Sequence, residues 1–177
     1  MRCNMERLVP WSLWAALPLM VLIGCSERPS TSNDPPDTMP KKDQVRLALF
    51  EHCLDKMDES WQRSPEPWAT PCYVLVTVDG KPVDPTDELM ASLAPRSFPI
   101  MKGSLCVPRQ DGVFNKETGG KGGVLVTVGT IEWTGKDTAK ADLRTWTGGT
   151  GASYQEFKCQ WKAGRWEVTA IGGLQMS

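Results

Sequence analysis

Few side chains in this 177-residue chain have types and spacings that suit chemistry. The one histidine, His52, stands between Glu51 and Cys53. A Cys53 and His52 catalytic pair is disfavoured, because neighbours on a helix point about 100° apart. His52 reads instead as a surface or boundary imidazole, off the apolar stripe of its helix. No Gly-x-Ser-x-Gly elbow supplies a nucleophilic serine. Cys53, Cys72, Cys106 and Cys159 are 19, 34 and 53 residues apart, whereas structural zinc sites set two ligands two to four residues apart. No metal site is expected. The segment Thr147-Gly-Gly-Thr-Gly-Ala152 lacks the Lys-Ser or Lys-Thr ending of a phosphate cradle and should lead into a strand, so it reads as a hairpin link. Two well-placed carboxylates could do acid and base chemistry, yet Asp55, Asp58 and Glu59 read as a solvated helix end. The sequence assigns no catalytic residue and no cofactor.

A different signal occupies the first twenty-five residues. Arg2 and Arg7 precede an apolar run from Leu8 to Ile23 that ends in Leu22-Ile23-Gly24-Cys25. A positive start, about sixteen mainly apolar residues and a small residue before the cut have the physics of an export signal. Spanning a bilayer takes roughly twenty, and Pro10 and Pro18 further disfavour an anchor helix. Leu22, Ile23, Gly24 and Cys25 resemble the lipobox of bacterial lipoproteins. The resemblance implies that residues 1–24 are a signal peptide, that the Cys25 thiol receives a diacylglyceryl group, and that the new amino terminus is acylated, as with palmitate. Each buried methylene adds about 0.8 kcal/mol, so two or three chains would hold the protein permanently. Ser26 resembles the second residue that directs Gram-negative lipoproteins to the outer membrane, facing the periplasm. The implied location is the cell envelope, with the membrane as a partner through the lipid anchor.

Without residues 1–24 the chain is close to neutral, with charges of both signs mixed along it. A nucleic-acid partner is not expected, since such binders carry a basic patch or stripe. Residues 26–41 contain four prolines and a single large apolar residue, Met39. That composition cannot offset its ordering entropy and reads as a flexible tether behind Cys25. Lys42 to Ser177 then fits one domain. An exported chain meets an oxidising compartment, so Cys53, Cys72, Cys106 and Cys159 are expected to form two disulfides. Three connectivities are open. Cys53 with Cys72 and Cys106 with Cys159 join elements that should pack together.

In the domain, Leu47, Phe50, Leu54, Met57 and Trp61 recur at helical spacing and predict one long amphipathic helix, with Asp43 as its cap. Cys72 to Val78 is a β-rich run closed by the turn signal Asp79-Gly80. Asp84-Pro85 predicts the start of a short helix buried through Leu89, Met90 and Leu93 and stopped by Pro95. A shorter extended piece follows from Phe98 to Val107. Four strands are then expected, at about Val124 to Trp133, Thr138 to Trp146, Ser153 to Trp161 and Trp166 to Met176, joined as an antiparallel meander. Alternation places Ala139, Ala141, Leu143, Phe157, Cys159, Trp161, Trp166, Val168, Ala170 and Leu174 on the core face. The expected fold class is α+β: a long amino-terminal helix and a short second helix on a curved, mostly antiparallel sheet.

The ending Trp161-Lys-Ala-Gly164-Arg165-Trp166-Glu-Val168 resembles the terminal hairpin of cone-shaped nuclear transport factor two-like domains. It is also similar to the tails of uncharacterised bacterial exported proteins. The cone-shaped resemblance implies a pocket under the sheet; no catalytic residue carries over. Trp133 and Trp146 end their strands near the side away from the expected core, where indoles suit a binding surface. The reading is a non-catalytic envelope binding module for a protein, glycan or small ligand. An envelope inhibitor or immunity protein is one form of it. The alternative is a hydrolase or isomerase with a carboxylate site in a cone-shaped pocket.

Overall fold

A computed structural model describes residues 39–62, 70–149 and 151–176. Cys25, the lipobox and most of the tether lie outside the described residues. The helices are α1 (Lys41–Gln62) and α2 (Asp87–Ser92). The strands are β1 (Cys72–Val78), β2 (Lys81–Val83), β3 (Ile100–Lys102), β4 (Cys106–Arg109), β5 (Gly112–Asn115), β6 (Val124–Val128), β7 (Glu132–Gly135), β8 (Thr138–Trp146), β9 (Ala152–Lys162) and β10 (Arg165–Met176). The class is α+β, as the sequence predicts.

One mixed sheet runs in the order β10-β9-β8-β6-β1-β2. Its carboxy-terminal part is the antiparallel meander β8-β9-β10, while β1 pairs in parallel with β6 and β3. Asp79 and Gly80, both at positive φ, close the β1-β2 turn; two such residues match the twist of a tight hairpin. Period-two alternation divides the sheet between two cores. Cys72, Val74, Val76, Val126, Val128, Ala139, Ala141, Leu143, Phe157 and Cys159 face α1 and the main core. Tyr73 and Leu125 point the other way, into a smaller core closed by the β4-β5 hairpin through Cys106 and Val113.

Helix α1 buries more than the expected stripe. Val45, Leu49 and Cys53 add a second row beside Leu47, Phe50 and Leu54, in a main core to which α2 and Phe98 also contribute. Met39 is buried too, so the folded part takes in the end of the predicted tether. Asp43 is not the cap. It lies inside the first turn, buried and paired with Arg46 at 2.7 Å, while the amides of Asp43 and Gln44 donate to the Pro40 carbonyl. Similarly, Thr86 rather than Asp84 caps α2, accepting from the Leu89 amide at 3.2 Å. Asp84 instead accepts from the Ser104 amide at 2.8 Å, fastening the chain after β3.

Three further expectations change. The strand foreseen from Val124 to Trp133 is two strands, β6 and β7, both paired to β8 with a break at Gly129. A Cβ at Gly129 would collide with the Asp142 carboxylate, and the Gly129 amide donates to the Asp142 carbonyl at 2.7 Å. Ala170 and Leu174 are exposed rather than core, because they lie on edge strand β10, whose register shifts between Ile171 and Gln175. The two expected disulfides are absent: Cys53, Cys72, Cys106 and Cys159 are free and buried. Cys106 belongs to the small core and Cys159 to the main core, so the sheet itself separates that pair. Cys53 and Cys72 share the main core as small apolar side chains, and the Cys53 thiol lies 3.9 Å from the Met57 sulfur.

Candidate functional site

Between α1 and the carboxy-terminal strands lies a cleft in two parts that share His52. Residue His52 is placed there because α1 turns its Gln44, Ala48 and His52 row toward β9 and β10 rather than toward water. The imidazole meets the Phe157 ring edge-on, with centroids 5.3 Å apart and planes 71° apart. Its Nε2 is buried and has no hydrogen-bond partner among the described residues. Burial lowers the His52 pKa below 6.5, Lys56 lowers it further, and Asp55 opposes both. The ring is therefore neutral at pH 7.

The polar part, about 620 Å³, lies toward β10 and includes Glu51, Asp55, Arg96, Arg165 and Glu167. Its centre is an ion-paired cluster. Arg96, with a side chain only 10% exposed, pairs with Glu51 and, at 2.8 Å, with Asp55. Glu51 also accepts from the Ala94 amide at 2.8 Å, which ties the segment after α2 to α1. A carboxylate engaged in this way is a fastener rather than a general base.

The second part, about 390 Å³, is mainly apolar. Met57 and Trp61 come from α1, Leu143 from β8, Phe157 from β9 and Leu174 from β10. Ser60, Thr145, Thr147, Ser153 and Gln155 add polar groups, with the Thr145 and Ser153 hydroxyls 2.6 Å apart. Lys56 is the one formally charged side chain in this lining, and no carboxylate is among the described lining residues. Cys53 also touches the chamber, but burial raises its thiol pKa to about 12. Only a thiolate is a good nucleophile, so Cys53 is a wall. The chamber has apolar area, hydroxyls, one neutral imidazole and one ammonium. That inventory suits a ligand, and among the described lining residues it includes no activated nucleophile and no carboxylate base.

The sequence-selected residues divide. Cys25 lies outside the described residues. Trp133 and Trp146 do not share a surface. Trp133, 39% exposed, packs on Trp166 with centroids 5.8 Å apart, beneath the Lys41 ammonium at 5.1 Å from its ring. Trp146 faces the opposite side, against the small core, with its indole nitrogen buried and unpartnered among the described residues. Neither lines the chamber; Trp61 does, resting edge-on against Phe98 at 4.4 Å. The chamber's strand residues were missed, although a signal exists. Thr145 and Thr147 continue the inward row of Ala141 and Leu143, and Ser153 and Gln155 precede Phe157 in register. Polar residues at inward positions mark where the core opens.

Compared with known proteins, the chain matches no family model, no curated protein and no solved structure.

Proposed function

We propose that this chain is a lipid-anchored protein of the bacterial envelope that binds its ligand without transforming it. The ligand lies in the chamber between α1 and strands β8 to β10. The observation that carries the binding reading is the chamber: an apolar lining of about 390 Å³ with a few convergent polar groups and no carboxylate among its described residues. Small-molecule sites have volumes of about 300–1,000 Å³ and this kind of lining. The envelope and the anchor rest on Leu22, Ile23, Gly24 and Cys25 alone.

Two experiments test the two halves. For the anchor, mass spectrometry of the processed protein is expected to find acyl mass on Cys25; an unmodified amino terminus elsewhere overturns it. For the chamber, the neutral probe N-phenyl-1-naphthylamine is added to the mature chain without its lipidated Cys25, residues 26–177. Its fluorescence is expected to rise with wild type and to lose most of that rise with Ser60→Trp. Ser60 is exposed on α1 and lines the chamber, so a bulky side chain there fills the space without replacing a core residue. A rise that survives Ser60→Trp, or no rise at all, contradicts the reading.

A further inference from the structure

The two parts of the cleft differ in how their charges are used. On the polar side Arg96 engages both Glu51 and Asp55. On the chamber side Lys56 is exposed, forms no ion pair among the described residues and has no carboxylate beside it in the lining. Asp55, its neighbour in sequence, is turned to Arg96 across the other face of the helix. The chamber is thus apolar within and has one positive charge in its wall. His52 lines the same wall, with its Nε2 buried and unpartnered among the described residues.

We propose that the chamber takes an amphiphile with a single anionic headgroup on an alkyl body. Resting on the binding reading above, this assignment names its ligand class. The alkyl body lies against Met57, Trp61, Leu143, Phe157 and Leu174, which gain from losing contact with water. The headgroup pairs with Lys56, whose long stem reaches over the apolar wall while its ammonium stays wet. A cationic amphiphile would set like charge against Lys56, and a neutral one would leave that ammonium without a counter-ion.

Displacement of N-phenyl-1-naphthylamine from the same chain, residues 26–177, by decanoate, decanol and decyltrimethylammonium tests this. All three share a ten-carbon chain and differ in headgroup charge. Decanoate is expected to displace the probe at a concentration at least tenfold lower than decyltrimethylammonium and several-fold lower than decanol. With Lys56→Glu the order of the two ions is expected to reverse. Equal potency of the three, or an unchanged order in Lys56→Glu, overturns the ligand class and leaves the chamber a binding site. Failure of the probe itself to bind wild type overturns both. Lys56 is exposed on a helix, so its substitution spares the core; matching denaturation midpoints confirm that the variant is folded.

Discussion

His52 on α1 and Phe157 on β9 meet edge-on at 5.3 Å, and this contact forms the seam between the polar and apolar parts of the cleft. The helix is thereby held to the meander by a ring that keeps one nitrogen buried and unpaired. A neutral imidazole tolerates that position; an imidazolium there would need a partner for its second N–H.

This contact gives stability a pH dependence of known sign. Burial lowers the folded-state pKa of His52 below its ordinary 6.5. Above 6.5 both folded and unfolded chains hold a neutral ring and the residue adds no slope. As pH falls below 6.5 the unfolded chain binds the proton first, so stability is lost until the lowered folded pKa is passed. Urea denaturation between about pH 7.5 and pH 5 is expected to show this decline in wild type and a flatter profile in His52→Gln. Equal slopes would place the ring in water.

The cysteines are expected to be silent in the folded chain. Burial raises Cys53 and Cys159 to about 12, and raises Cys72 and Cys106 as well. Reaction needs the thiolate. Iodoacetamide at about pH 8 should therefore modify none of the four within minutes in the native mature chain. In denaturant without reductant it should modify all four. Fewer than four under denaturing conditions would reveal a disulfide.

Gly148 and Gly149 separate two causes of glycine use in one loop. Both have positive φ, at 103° and 60°. A side chain on Gly149 meets open space, whereas one on Gly148 collides with the backbone of Gly112, where the loop docks on the β4-β5 turn. Gly149→Ala is expected to cost about 1 kcal/mol, from the left-handed backbone alone. For Gly148→Ala the collision adds about 1–3 kcal/mol. Denaturation midpoints of the two variants check the difference.

Periodicity made the elements legible where one face is buried and the other wet. Strand β1 falls at the residues predicted, and the inward rows of β8 and β9 place their core correctly. Contacts distant in sequence were not legible. Nothing near Asp84 announces that it serves Ser104, so local capping rules chose the wrong cap. The β4-β5 hairpin was overlooked although Asp111-Gly112 is a turn signal, and with it went the second core that holds Cys106 away from Cys159. Alternation extended Ala170 and Leu174 into the core because it cannot show where α1 stops covering an edge strand. For the site, the sequence drew attention to tryptophans by their rarity. The chamber was instead written in Thr145, Thr147, Ser153 and Gln155, polar residues on an inward row.

The most direct test of the account is a map of where a ligand touches the protein. Backbone amide shifts of the nitrogen-15-labelled mature chain, followed by NMR as decanoate is added, should move at His52, Lys56, Trp61, Leu143, Phe157 and Leu174. Arg144, Trp146 and Tyr154 on the opposite face of the sheet should stay in place. Shifts confined to that opposite face, or scattered over the surface without saturating, would contradict a binding chamber between α1 and the carboxy-terminal strands.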